Sequence, residues 1–399
     1  MRRWSCSPWL LLSVALPAQD DALRALVDAN LRRLEMTDAG LEGPGAEWLV
    51  ERGAASRFFL IGESHGNRET CAVATWLGAR LREHGYRYYA METGPCITEH
   101  VAGLAGEGGA GAVEQFIKGL PFSMAFLNWQ EEVASFAALL EIGYESWGLD
   151  QEFAGSARFL LGQLVDQAPD DAAKAVAADL LKQAKAGFAE AAMTGDRSKS
   201  FMQAARAEDL ARLDAAFADA PAATRGVVEE LRATHRIYGH YHHKRYFDNN
   251  HDRINLMKRH FADRLQGAGA DARVLMKFGA AHTGRGYSPF DQLDLGNQAA
   301  ELAFAAGLDS FHLVVFAPVS IGADGSENNL RAMADYMEPL FVAMGDDPAV
   351  FDLRPLRAHC SRRSVKAAAP EMHAAVFRYD AVLLLPAFHR STELHPMPK

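Results

Sequence analysis

Six short apolar runs punctuate the chain, at 57–61 (RFFLI), 87–91 (RYYAM), 146–149 (SWGL), 273–278 (RVLMKF), 311–316 (FHLVVF) and 381–385 (AVLLL). Each is strand-length and lacks the polar alternation of a strand with one wet face, so each reads as a strand buried on both faces. Between them lie longer stretches of helical periodicity, such as the amphipathic spacing over 70–83. That alternation predicts an α/β fold, with a central, mostly parallel sheet flanked by helices. One region departs from it. From about 153 to 265 the sequence is rich in Ala, Leu, Lys, Glu and Asp and offers no strand. Breaks near Pro169, at 194–196 and at Pro221 divide it into three or four helices. It reads as a large all-helical insertion, a cap or lid over the sheet. The 399 residues allow one large domain or two, and the order of elements favours a single α/β domain over 19–399.

The N-terminus has its own pattern. Arg2 and Arg3 precede an apolar run over 9–16, followed by Pro17 and Ala18 and then by Gln19, Asp20 and Asp21. This is the layout of a secretory signal peptide over 1–18, although Leu16 stands where a small residue is preferred. It points to a secreted or periplasmic protein, the alternative being a cytoplasmic chain with an apolar N-terminus. The run is too short to span a bilayer, which takes about 20 residues, and no other stretch predicts a transmembrane segment. With 41 basic and 51 acidic side chains, a net charge of −10, the chain is a poor general nucleic-acid binder. Four cysteines at these spacings build neither a disulfide framework nor a zinc finger. A small-molecule substrate is the expected partner, and the oligomeric state is open.

In open α/β sheets ligands bind beyond the carboxyl ends of the strands. Here those ends carry Gly62-Glu63-Ser64-His65-Gly66, Glu92-Thr93-Gly94, Asp150-Gln151-Glu152 and Gly279-Ala280-Ala281-His282. Any one such residue could merely cap a helix. Four ends delivering carboxylates or imidazoles together form a candidate acid–base site.

The first cluster has two readings. As G-x-S-x-G it matches a nucleophile elbow, and the order Ser64, Asp150, His282 fits a serine triad of the α/β-hydrolase type. The elbow would, however, follow the first recognisable strand, since 20–52 reads as a helix (21–35) and a loop. The second reading makes Glu63 and His65 the working pair, at i and i+2 around a turn. Glu92 and His282 would then enter the same crevice from neighbouring strands.

On the second reading the chain resembles the erythromycin esterase-like and ChaN-like superfamily. The matching pieces are Gly62-Glu63-Ser64-His65-Gly66 with Glu69, then Glu92, then 147–151 (WGLDQ) and Phe278-Gly279-Ala280-Ala281-His282. Arg253 with 257–261 (MKRHF) resembles the family's R-x-x-x-M-x-x-N-F helix, His260 replacing the usual Asn. One residue separates Glu63 from His65, as in ChaN-like proteins, where erythromycin esterases have two. The resemblance implies hydrolysis of an ester or related carbonyl, with His65 as general base on water and Glu63, Glu92 and His282 completing the site. An imidazole of ordinary pKa near about 6.5 suits that role. Asp150, Arg68 and Arg253 are supporting or substrate-binding candidates, the arginines as oxyanion or acid-binding groups. No cofactor is required, but Glu63, His65, Glu92 and His282 could instead hold a divalent metal. The ChaN-like relation keeps a haem- or metal-binding uptake protein open.

Two other features stand out. His235, His240, His242, His243 and His251 include no pair four residues apart, so they read as a histidine-rich helix of the lid rather than a helical zinc site. The glycine-rich 103–111 follows no strand and reads as a flexible connection.

Overall fold

Every residue of Ser56–Glu63 is buried, as a strand flanked on both faces requires. The computed structural model describes residues 21–395, so the leader expected at 1–18 lies outside the described residues. Among the described residues eight strands form the main sheet: β1 (Leu31–Arg33), β2 (Ser56–Glu63), β3 (Tyr86–Met91), β4 (Glu145–Gly148), β5 (Arg273–Gly279), β6 (Asp309–Phe316), β7 (Ala349–Asp352) and β8 (Ala381–Leu384). Their spatial order is β1-β7-β8-β6-β2-β5-β3-β4. The six apolar runs are the six contiguous parallel strands from β8 to β4. β7 pairs antiparallel with β8 and with β1.

Alternate residues of each strand feed opposite faces, which makes a three-layer α/β/α arrangement. Phe59, Ile61, Leu275 and Leu313 face Val73 and Leu77 of helix Arg68–Arg82 and Phe136 of helix Gln130–Glu141. Phe58, Leu60, Val274 and Met276 face Met257 and Phe261 of helix Tyr246–Ala268. The β7–β8 end of that second face is covered by Leu340, Met372 and Val376 from the C-terminal helices.

Three expectations need correction. The helix expected over 21–35 stops at Ala29, and β1 then pairs with β7. β1 is the edge strand and β7 lies beside it; with three and four residues, both are too short to show a period against the helical pattern beside them. The glycine-rich 103–111 is not a connection but lies inside helix Pro95–Gly119. Val101, Val113 and Ile117 anchor this helix in the core, while Gly108 and Gly109 take the kink, Gly109 at φ 62°. The helical stretch between β4 and β5 contains more helices than expected: Ala157–Asp166, Asp171–Thr194, Phe201–Ala204, Ala207–Ala216, Ala222–His242 and Tyr246–Ala268.

The breaks fall where the sequence punctuates. The Asp170 carboxylate caps Ala173 N at 2.8 Å at the start of helix Asp171–Thr194, and Gly195 ends the same helix at φ 72°. Leu160, Leu164, Leu180, Leu213 and Leu231 give the insertion its own core. Its last helix, Tyr246–Ala268, instead packs on the sheet and carries Arg253. The chain thus leaves the sheet at its β4 edge and returns as β5 between β2 and β3, which sets the carboxyl ends of β2, β5, β3 and β4 side by side. Among the described residues no helix is long and apolar enough to cross a membrane.

Candidate active site

Glu63 is the last residue of β2, and Gly66 turns the chain three residues on at φ 81°, a left-handed conformation that suits glycine. Within this turn Glu63 is buried, Ser64 is exposed, and His65 keeps about a quarter of its side chain, 26%, accessible. His65 Nδ1–H donates to Glu63 Oε1 at 2.9 Å, while Nε2 faces Glu92 Oε2 at 3.4 Å. The ring lies flat on Phe126, centroids 3.7 Å apart. Phe126 holds φ 63°, a strained conformation for a bulky side chain of the kind that gathers at functional sites.

Beneath the pair, Lys277 projects from β5 and donates to Glu63 Oε1 at 2.6 Å and to Glu132 Oε1 at 2.7 Å. All three side chains are buried. Glu63 Oε2 is buried with no hydrogen-bond partner among the described residues. Burial alone would raise the Glu63 pKa, but Lys277 and His65 overcome it and bring the carboxyl down to about 2. Glu132 is displaced upward by burial, against Lys277.

Glu92, just past β3, is held from four sides. Arg253 Nη2 donates to Oε1 at 2.7 Å, and the Gly279 amide to Oε2 at 2.6 Å. His65 approaches Oε2, and His282 Nε2 lies 3.5 Å from Oε1. These neighbours hold the carboxyl well below its usual range despite burial. Arg253 also grips Asp150 in a fork, Nε to Oδ1 at 2.9 Å and Nη2 to Oδ2 at 2.6 Å, the geometry that a planar guanidinium favours. His282 Nδ1–H donates to Asp294 Oδ2 at 3.0 Å, and Asp294 in turn caps helix Leu295–Ala305.

The structure therefore brings Glu63, His65, Glu92, Asp150, Arg253 and His282 into one network. Arg68 is not in it. It lies half-exposed at the rim, paired with Glu131 and the Arg390 carbonyl. The serine triad is not assembled either: Asp150 is bound to Arg253, His282 to Asp294, and among the described residues no hydrogen bond joins Ser64 to either. One electrostatic expectation is overturned. Burial lowers the pKa of His65, but its contacts with Glu63 and Glu92 prevail and push it up to about 10. At neutral pH His65 is therefore an imidazolium.

Lys277, Glu132, Asp294 and Phe126 were absent from the sequence-based set. Lys277 left a trace, a lone charge in a strand that must be buried on both faces. The others left none, because long-range packing alone brings them in. The histidine-rich helix does not line this crevice: His235 binds the Met202 carbonyl, His240 binds Asp252, and His242 and His243 are exposed. His260 spans the Leu149 carbonyl and Glu230, each at 2.8 Å.

The donor set does not fit a resident metal. Both His65 nitrogens face carboxylates, and Lys277, Arg253 and the Gly279 amide occupy Glu63 Oε1 and both Glu92 oxygens, which leaves only Glu63 Oε2 unpartnered. Among the described residues no group of three or more His, Cys, Asp or Glu is arranged to hold a metal ion.

No family model matches this chain, and no curated protein matches it in sequence. Solved structures do. A histidine-to-asparagine variant of erythromycin esterase EreC in its open conformation aligns at a TM-score of 0.61 and 15% identity, covering 92% of this chain and 100% of that one. A Bacillus cereus protein aligns at 0.59 and 12%, covering 95% and 100% of the two chains. This chain has an erythromycin esterase-like/ChaN-like fold. A succinoglycan biosynthesis protein shares it at 0.59 and 11%, covering 94% and 98%. At such identities the likeness is one of fold. The three alignments nonetheless cover 92–95% of this chain.

Proposed function

We propose that this chain is a hydrolase that activates water with a His/Glu site and cleaves an ester or related carbonyl substrate. The observation that carries the reading is the setting of His65: a partly exposed imidazole with a buried carboxylate facing each of its nitrogens. Glu63 fixes the tautomer with the proton on Nδ1, the role of the orienting acid in a catalytic triad. In the neutral ring Nε2 then carries the lone pair that takes a proton from water. Glu92 steadies the imidazolium that results, and the proton can pass on to the leaving alkoxide. His282, held by Asp294, is a second imidazole within reach of the same carboxylate. Residues 1–18 support export of this enzyme through a signal peptide.

The test is a panel of esters and lactones run with and without chelator. Replacing His65 by Ala should cost about 10²–10⁴-fold in kcat/KM on a responsive ester, while Ser64→Ala keeps most of the activity and chelator changes little. Loss in Ser64→Ala with retention in His65→Ala would turn the assignment towards a serine nucleophile.

A further inference from the structure

Phe126 belongs to the irregular segment 120–129, which joins helix Pro95–Gly119 to helix Gln130–Glu141. Two bulky residues of this segment hold left-handed backbones, Phe122 at φ 60° and Phe126 at φ 63°. Such conformations persist only where the surroundings over-determine them, and here they do. Met124 and Leu127 are rooted in the core. At one end the segment is tied to the start of the helical stretch between β4 and β5. The Gly155 amide donates to the Phe122 carbonyl at 3.0 Å, Arg158 donates to the Pro121 carbonyl, and Phe122 packs on Phe188 with ring centroids 6.2 Å apart. At the other end it is tied to the C-terminal residues. The Leu394 amide donates to the Asn128 carbonyl at 2.8 Å, and the Arg390 guanidinium lies 5.4 Å over the Trp129 ring. What this braced segment presents is the Phe126 ring, 3.7 Å from the His65 imidazole and within 14° of parallel to it.

We propose that Phe126 is a positioning residue for His65, and that the helical stretch between β4 and β5 sets its place through segment 120–129; this rests on the hydrolase reading above, in which His65 is the base. Glu63 and Glu92 hold the imidazole at its two nitrogens, which leaves it free to tilt about the line that joins them. A flat ring stacked on one face removes that freedom, and the Nε2 lone pair, which lies in the plane of the imidazole, is aimed with it. The stack also shuts one face, so water and substrate meet His65 at its edge or from the other side. Contact with an aromatic face favours the charged imidazole as well. The tie to the helical stretch depends on Gly155. A Cβ there would overlap the Phe122 carbonyl, and two backbones in such contact can separate only if Phe122 moves.

The experiment compares Phe126→Leu, Phe126→Tyr and Gly155→Ala with the wild type, in kinetics on a responsive ester and in NMR of the histidine ring protons. The His65 signal is the one lost in His65→Ala. Leucine keeps apolar bulk without a flat face, and tyrosine keeps the face. Phe126→Leu should lower kcat by about 10–100-fold with KM little changed, while Phe126→Tyr retains most of the rate. The His65 signal, displaced by the ring stacked on it, should move in Phe126→Leu and stay in Phe126→Tyr. Its titration midpoint should fall by about half a pH unit in Phe126→Leu. The charged groups around the imidazole are unaltered in that variant: Glu63 with Lys277 behind it, and Glu92 with Arg253 and His282 behind it. Gly155→Ala should reproduce the loss of kcat and the moved signal. Where an ester is hydrolysed, an unchanged kcat in Phe126→Leu overturns the proposal, as does an unmoved His65 signal. A signal moved by Phe126→Leu but not by Gly155→Ala overturns the part assigned to the helical stretch. Signals moved in both variants, with no ester hydrolysed by any form, keep the positioning and remove the hydrolase reading. Should Gly155→Ala fail to fold, judged by circular dichroism, Phe188→Ala, which removes the ring packed on Phe122, reads the same connection.

Discussion

Lys277 Nζ lies 2.6 Å from the Glu63 oxygen that also accepts the His65 Nδ1 hydrogen. A cation buried under the sheet's carboxyl end thus fixes the anion that orients the exposed imidazole. Lys277 also serves Glu132, so its removal strands two buried carboxylates. Breaking such a buried arrangement from one side typically costs about 3–5 kcal/mol. Lys277→Met should therefore be severely destabilised in urea unfolding at neutral pH, and the double variant Lys277→Met/Glu132→Leu should regain part of the loss. A cost below about 1 kcal/mol for the single variant would mean that the cluster is not ionised as described.

Stability should depend on pH from both sides. The His65 pKa is raised from 6.5 to about 10, so its contribution is complete below 6.5 and is lost as pH climbs through about 10. The Glu63 pKa is lowered from 4.5 to about 2, so its contribution is complete above 4.5 and is lost as pH falls through about 2. Unfolding free energy measured across this range should decline on both flanks. His65→Ala should flatten the alkaline flank. An unchanged alkaline flank in that variant would show that His65 does not carry the proton.

The same raised pKa shapes the rate. If neutral His65 takes the proton from water, log kcat/KM for a responsive ester should climb with pH and level off only near 10. A flat profile that falls above 10 would assign the imidazolium to general-acid catalysis instead.

Much of this arrangement was legible because parallel strands bury both faces and leave their chemistry at their ends. Glu63, Glu92, Asp150 and His282 each follow an apolar run, and all four occupy one network. β1 and β7 left no period because they are short and pair at an edge. Asp294 and Glu132 reach the site from helix starts, where an acidic residue ordinarily signals only a cap. The charge state of His65 was beyond sequence reasoning, since the distances to two carboxylates set it.

Arg253 joins Asp150 and Glu92, so its effect on the reaction should pass through the position of Glu92. Arg253→Lys keeps the charge but loses the fork. It should lower kcat by about 10–100-fold with KM little changed, as a shift of about 1 Å in a catalytic group can do. Arg253→Met leaves both carboxylates without their cation and should also lower the melting temperature. Equal activity in Arg253→Lys and wild type would show that the fork does not position Glu92.

Gly279 offers the sharpest separation of fold from site. Its φ of −51° is open to any L residue, so alanine strains no backbone. A Cβ there would come within 2.8 Å of His65 Nε2 and 3.3 Å of Glu92 Oε2, and the imidazole must move because the strand cannot. Gly279→Ala should therefore melt close to the wild-type temperature while kcat/KM on a responsive ester falls by about 100-fold. The measurements are a thermal melt and a kinetic run on the same preparation. Full activity in this variant would place the proton-accepting atom somewhere other than His65 Nε2.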